Sequence, residues 1–188
     1  MYLNPYTEQL KEEHKGIKLA LDILEKICQK LESKEKVDPS DLEKILEFIR
    51  VFADKCHHGK EEDLLFPAIE EAGIPKDGGP TGVMVEEHNL GREYVKGFGE
   101  GVSAFAAGNE QARTKIVENA RNYIQLLSQH IDKEDNILYM IADMHLSQEK
   151  QNELLKQFEK VEEEKIGKGK HEEFHKMLEE LKAKYISV

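Results

Sequence analysis

The chain has no tryptophan, only two cysteines and only five prolines among its 188 residues. Cys28 and Cys56 are too few and too far apart for a disulfide framework, and no Cys-x-x-Cys zinc motif occurs. Reduced thiols in a cytoplasmic protein are the expectation. No apolar run is long enough to cross a bilayer. Met1 to Leu10 carries Asn, Glu and Gln, where a signal peptide would carry an apolar core. Basic residues are outnumbered, 27 Lys and Arg against 38 Asp and Glu, for a net charge of −11. Such a surface repels nucleic acid and anionic membranes, so neither is an expected partner. Scarce proline beside 35% charged residues reads as helical rather than disordered.

What the chain does hold is an internal echo. Glu12-Glu13-His14 returns as Glu86-Glu87-His88, 74 residues later (14 to 88). His57-x-x-x-Glu61-Glu62 returns as His130-x-x-x-Glu134-Asp135, 73 residues later (57 to 130). The period is too long for a solenoid and fits a duplicated helix hairpin. Leu10, His14, Ile17, Leu21, Leu24, Cys28 and Leu31 follow steps of four and three, one face of a long helix. Met84, His88, Gly91, Val95, Phe98, Val102 and Phe105 repeat that stripe. Asp38-Pro39 starts a second helix that runs to about Glu71. Gly and Pro between Ala72 and Gly82 mark a crossover loop, and Gly108-Asn109 ends the third helix. A fourth stripe carries Ile116, Tyr123, Leu127, His130, Glu134, Ile137 and Ile141.

Short links force neighbouring helices to run antiparallel. The expected fold is therefore all-α, an up-down-up-down four-helix bundle over residues 1–145. Residues 146–188 form a helical extension packed on it, with Ser147 as a cap and a break at Gly167-Lys168-Gly169. Its apolar residues are too few for it to fold alone.

Residues i and i+4 share one helix face, so His57 with Glu61, and His130 with Glu134, can each clamp a site. His14 and His88 add one imidazole from each remaining helix. Six such ligands exceed one tetrahedral zinc and suit two ions bridged by the two glutamates, with positions left open for a small molecule. Nitrogen and oxygen donors without thiolate favour iron, with manganese and zinc as alternatives. His58 and Glu62 form a second i,i+4 pair, but the echo selects His57, because His58 aligns with Ile131. His58 is then a flanking polar residue or an extra ligand. The competing reading is a salt-bridged His/Glu core without metal. Buried glutamate is costly unless paired, and the recurrence of two His/Glu pairs at one offset counts against it.

Glu87-His88, His57-His58-Gly59-Lys60-Glu61-Glu62-Asp63-Leu64-Leu65-Phe66-Pro67, and His130-x-x-x-Glu134-Asp135-x-x-Leu138-Tyr139, together with His14, resemble the hemerythrin-like, HHE cation-binding family. The lead-in Gly79-Pro80-Thr81-Gly82-Val83-Met84 is similar to that of its non-animal members. The resemblance covers about residues 5 to 143. It implies a non-heme diiron site with His14, His57, His88 and His130 as iron ligands and Glu61 and Glu134 as bridges. Oxygen-carrying members have a second histidine four residues after the third-helix ligand, where this chain has Arg92. Their last motif is His-x-x-x-x-Asp, where this chain has His-x-x-x-Glu. The resemblance thus implies a site poorer in histidine and more symmetric. Binding or sensing of oxygen, peroxide or nitric oxide, iron handling, and a redox role related to iron–sulfur repair stay open.

A catalytic oxidase, peroxidase or nitric oxide reductase and a metal-independent interaction bundle are the alternatives from other classes. A ferritin-like store fits less well, because that class uses Glu-x-x-His. Tyr123, on the stripe of His130, is either a donor near the metals or a core tyrosine. Cys56 points away from His57 and reads as an inert buried thiol. His171 and His175 read as polar-face residues, His145 as a loop residue, and Glu162-Glu163-Glu164 as a solvated face.

Overall fold

The computed structural model describes residues 4–167 and 169–186. Met1 to Leu3 of the N-terminal reading, and Lys168 of the glycine break, lie outside the described residues. Six helices and no strand make up the described chain. They are α1 (Pro5–Glu32), α2 (39–71), α3 (Pro80–Ala106), α4 (112–145), α5 (Gln148–Lys165) and α6 (Lys170–Tyr185).

Local chemistry sets the ends. Pro5, Pro39 and Pro80 occupy first-turn positions, where a missing N–H costs nothing. The Asp38 carboxylate accepts from the Ser40 N–H at 3.0 Å, and the Ser147 hydroxyl accepts from the Lys150 N–H at 3.2 Å. Gly79 turns the crossover into α3 so tightly that a Cβ there would lie 1.7 Å from the Pro75 carbonyl oxygen. Only glycine fits that approach.

Two helices depart from regular α geometry. In α2, Ile49–His58 and Glu61–Leu65 make wider, π-helical turns, and in α4 Glu134–Leu138 does the same. Each wide turn takes up extra residues and rotates the face that follows. The α4 stripe expected at Ile137 and Ile141 is thereby displaced by one residue. Leu138 and Ala142 are buried, whereas Ile137 is 53% exposed. His145 is also not in a loop. It ends α4, and its ring Nδ1 lies 2.9 Å from the Ile141 carbonyl oxygen.

α3 packs along α4, α1 against α4, and α2 against α3. The buried apolar residues fall into two clusters. One holds Ile17 to Leu31 of α1, Leu42 to Ala53 of α2, Val95 to Phe105 of α3 and Ala112 to Ile131 of α4. The other holds Tyr6 and Leu10, Leu65 to Ile69, Met84, and Leu138 to Leu146. The last two helices divide between them: Phe174, Leu178, Leu181 and Tyr185 of α6 join the first, Leu154 and Phe158 of α5 the second. Between the clusters lies a layer of buried polar side chains contributed by α1, α2, α3 and α4.

Candidate metal centre

That polar layer consists of Glu13, His14, His57, His58, Lys60, Glu61, His88, His130 and Glu134, all at most 6% exposed. The six residues singled out by the echo lie together in it, and His58 lies with them. Two groups of potential ligands form, with the donor atoms of each group within 4.8 Å of one another. One is His14, His57, Glu61 and Glu134; the other is His58, Glu61, His88 and His130. Glu61 belongs to both. The wide turns carry His57, His58 and Glu61 on α2 and Glu134 on α4, a placement common at functional sites, while His14, His88 and His130 lie in regular helix.

Each of four imidazoles has its Nδ1 against a carboxylate. His14 meets Asp135 at 2.8 Å, His57 meets Glu13 at 2.8 Å, His88 meets Glu62 at 2.6 Å and His130 meets Glu87 at 2.9 Å. A carboxylate accepts, so Nδ1 carries the proton and the Nε2 lone pair is left free. Those Nε2 atoms then face each other in pairs: His14 with His57 at 2.9 Å, and His88 with His130 at 2.9 Å. Two lone pairs at that distance repel unless a proton or a cation lies between them.

The carboxylates tell the same story. Glu61 Oε2 and both oxygens of Glu134 are buried without a hydrogen-bond partner. Glu134 Oε1 does come within 3.0 Å of His130 Nε2, and Oε2 within 3.3 Å of His14 Nε2, without hydrogen-bond alignment. Ligands about 2.0–2.2 Å from one ion sit roughly 3–4 Å apart. These spacings fit that requirement, so the donor set suits a transition-metal ion.

Burial and the facing Glu134 carboxylate push the Glu61 carboxyl well above its ordinary range. Burial works against ionised Glu134 too, but His130 and His14 outweigh it and hold Glu134 low. Burial opposes a charged His130, yet Glu134 and Glu87 raise it to about 9. Burial and the neighbouring His88 leave His58 far below the usual imidazole value.

Behind each supporting carboxylate stands a cation, and this shell is duplicated as well. Lys60, fully buried, reaches Glu13 at 2.5 Å, and its counterpart Lys133 reaches Glu87. Arg92 contacts Glu62 at 2.7 Å, and its counterpart Lys18 contacts Asp135 at 3.3 Å. Carboxylates that fix ring orientation are the usual partners of metal-ligating histidines. Here Glu13, Glu87, Glu62 and Asp135 sit inside the repeated motifs, next to the ligands themselves. Their role follows only from packing. The hairpin's other helix supports His57 and His130, while the opposite hairpin supports His14 and His88.

A profile of the hemerythrin HHE cation-binding domain matches residues 6–142. The chain belongs to that family. Proteins of Mycobacterium bovis and Mycobacterium tuberculosis, both named only as uncharacterized, are 26% identical to this hemerythrin-family chain over 162 residues. The match takes in 86% of this chain and 63% of theirs, so the chain spans less than two thirds of those relatives. No solved structure matches it. Cation binding is the property for which that family is described, and the two buried His/Glu groups have the residue types to hold a metal ion. Among the described residues, no helix is long and apolar enough to cross a membrane.

Some residues fall elsewhere than expected. Tyr123 is buried but bonds to none of the six candidate ligands. Tyr139 does so instead, its hydroxyl donating to Glu61 Oε1 at 2.7 Å. The wide turn after Glu134 brings it there, and regular spacing could not have shown it. Cys56 is buried outside both ligand groups, and burial pushes its thiol up to about 12. Glu162 is no purely solvated residue, since it reaches Lys60 at 3.3 Å. His171 and His175 lie with ring centres 5.0 Å apart, outside both ligand groups.

Proposed function

We propose that this protein holds two iron ions in the polar layer and uses them to bind or sense a small oxidant: oxygen, peroxide or nitric oxide. His14, His57, His88 and His130 are the imidazole ligands and Glu61 and Glu134 the bridging carboxylates. The observation that carries this reading is the set of four Nε2 atoms turned inward in two facing pairs, beside three buried carboxylate oxygens that lack a hydrogen bond. The paired ions would supply reversible electron transfer and open positions for a small ligand. The chain's own residues orient the imidazoles, exclude bulk water and hold a proton at Tyr139. Iron is preferred over manganese and zinc because open positions on a carboxylate-bridged pair suit oxygen chemistry. The same reading takes the helices over 1–145 as an up-down-up-down bundle, with 146–188 as an extension and the cytoplasm as its place. The grouping of Leu10, Leu65, Met84 and Leu138 at one end of the polar layer supports that topology.

A second reading, catalytic turnover of peroxide or nitric oxide, gains support from Tyr139. Its hydroxyl lies 2.7 Å from Glu61 and 3.4 Å from His14 Nε2, a proton source beside the ions. Purified protein would be assayed for metal and its visible spectrum recorded with and without oxygen. Two irons per chain and oxygen-sensitive charge-transfer bands are expected. His57→Ala and His130→Ala should sharply lower the iron content, and His171→Ala should leave it unchanged. Equal metal in all three variants would refute the site. Sustained turnover with peroxide or nitric oxide would favour the catalytic reading over the sensor.

A further inference from the structure

Between α2, α3 and α4 a cavity of about 160 Å³ leads from the exposed Arg50 and Lys96 to the buried rings of His58 and His88. A water needs about 10–15 Å³ on this measure, so the space holds several waters or a two- to four-atom ligand. Two features of its wall bear on its use.

The first is Gly91. It interrupts the apolar stripe of α3 one turn after His88, and its counterpart in the first hairpin is Ile17, which is buried in the core. A Cβ on Gly91 would meet the nearest ring carbon of Tyr123 at 3.5 Å, an ordinary contact. Close packing therefore does not demand glycine here. Its missing side chain leaves space on one side of the layer that Ile17 fills on the other.

The second is charge. Three of the lining side chains are cationic, Arg50, Arg92 and Lys96, and one, Asp54, is anionic. Arg92 is itself tied to Asp54 and Glu62 at 2.8 and 2.7 Å. In a chain of net charge −11, a cationic entrance is set against the general field. Low-dielectric walls would concentrate that local potential on a small anion. The wider depression of about 700 Å³ lined by Leu31, Glu110 and Arg113 includes no histidine.

We propose that this cavity is the entry path and docking site for a small anionic ligand, of the size of azide, nitrite or hydroperoxide. It delivers the ligand to the ligand group containing His58, His88 and His130 and not to its mirror. The inference rests on the metal-centre reading above. The ligand passes between Arg50 and Lys96, along Gly91 and Tyr123, and reaches the stacked rings of His58 and His88, whose centres are 3.8 Å apart.

Azide is the probe. Iron-loaded protein is mixed with it in a stopped-flow instrument, and the association rate constant is read from the new visible band. Gly91→Val should slow association by about tenfold or more by filling the cavity, with iron content unchanged. Should Gly91→Val fold poorly by circular dichroism, Gly91→Ala supplies a smaller plug and a smaller slowing. Arg50→Gln with Lys96→Gln should reduce the rate several-fold at low salt and flatten its salt dependence. Unaltered azide kinetics in folded, iron-replete Gly91 and charge variants would overturn the entry path and leave the metal centre standing. Iron-free unaltered protein would overturn the metal centre, and the entry path with it.

Discussion

Removal of one hydroxyl tests whether the polar layer works as described. Tyr139 is fully buried, donates to Glu61 at 2.7 Å and stacks on His14 with ring centres 5.7 Å apart. Its counterpart in the first hairpin is Phe66, which stacks on His88 at 5.8 Å. Phenylalanine at this place is thus already compatible with the architecture, and Tyr139→Phe keeps the ring. What is lost is the hydrogen bond to Glu61 Oε1, with the longer 3.4 Å contact to His14 Nε2, and Glu61 Oε2 has no hydrogen bond to begin with. Leaving a buried acceptor unsatisfied costs about 1–3 kcal/mol. For a chain of this length, each kcal/mol lowers the melting temperature by roughly 2–4 °C. Metal-free Tyr139→Phe should therefore melt several degrees lower.

Metal binding gives the second half of the test. Burial and Glu134 already make Glu61 reluctant to ionise, and the Tyr139 hydrogen bond acts in the opposite direction. A bridging carboxylate must be ionised, so the variant should bind iron more weakly at neutral pH, by about one order of magnitude for each 1.4 kcal/mol lost. Part of the melting deficit should disappear on loading, because the ions would give both Glu61 oxygens a partner. Differential scanning calorimetry with and without metal, beside competition against a chelator, reads both effects. A variant that melts and binds like the unaltered protein would refute the assigned hydrogen bond and the bridging role of Glu61 together.

Metal affinity should depend on pH. A proton on His130 competes with metal below about 9, since Glu134 and Glu87 outweigh the burial that opposes it. Affinity should rise about tenfold per pH unit for each displaced proton and level off above that value. Calorimetric titration in buffers of different ionisation enthalpy should detect proton release at pH 7, and none would count against the assignment. Lys60→Met should destabilise the fold strongly, because it leaves Glu13 buried beside His57 alone and removes the ion pair with Glu162. Breaking a buried pair costs about 3–5 kcal/mol, and a melting temperature within a degree of the unaltered protein would refute that account.

Two helix starts were legible because their chemistry is local, Pro39 after Asp38 and Ser147 before α5, whereas α3 begins at Pro80, inside the stretch read as loop. The polar layer was legible because the duplication repeats its histidines and glutamates at one spacing. Reading failed where the helix itself changes pitch. The wide turn at Glu134–Leu138 turns Ile137 outward and Tyr139 inward, and no 3.6-residue period anticipates it. The supporting carboxylates were visible as residues but not as partners, since each acts on a different helix from its own. Glu162 looked solvated because nothing in a glutamate run reveals a buried lysine on α2.

Duplication alone would yield two equal ligand groups, and around the polar layer three aligned pairs break that equality. Tyr139 stands opposite Phe66, His58 opposite Ile131, and Gly91 opposite Ile17. Each change places its distinctive group at the polar layer or on the cavity that reaches it. Together they sort the layer into two unlike sides. One has His58 and open space beside His88; the other has core packing at Ile17 beside His14, and the Tyr139 hydroxyl at the shared Glu61. On the proposed reading the two sides would divide the work, with ligand arrival on the His58 side and proton supply on the Tyr139 side. The double variant His58→Ala with Tyr139→Phe, measured against each single change, addresses that division. Independent roles predict that azide association and iron affinity respond separately, the first to His58 and the second mainly to Tyr139. Both properties falling together in each single variant would mean that the two sides act as one.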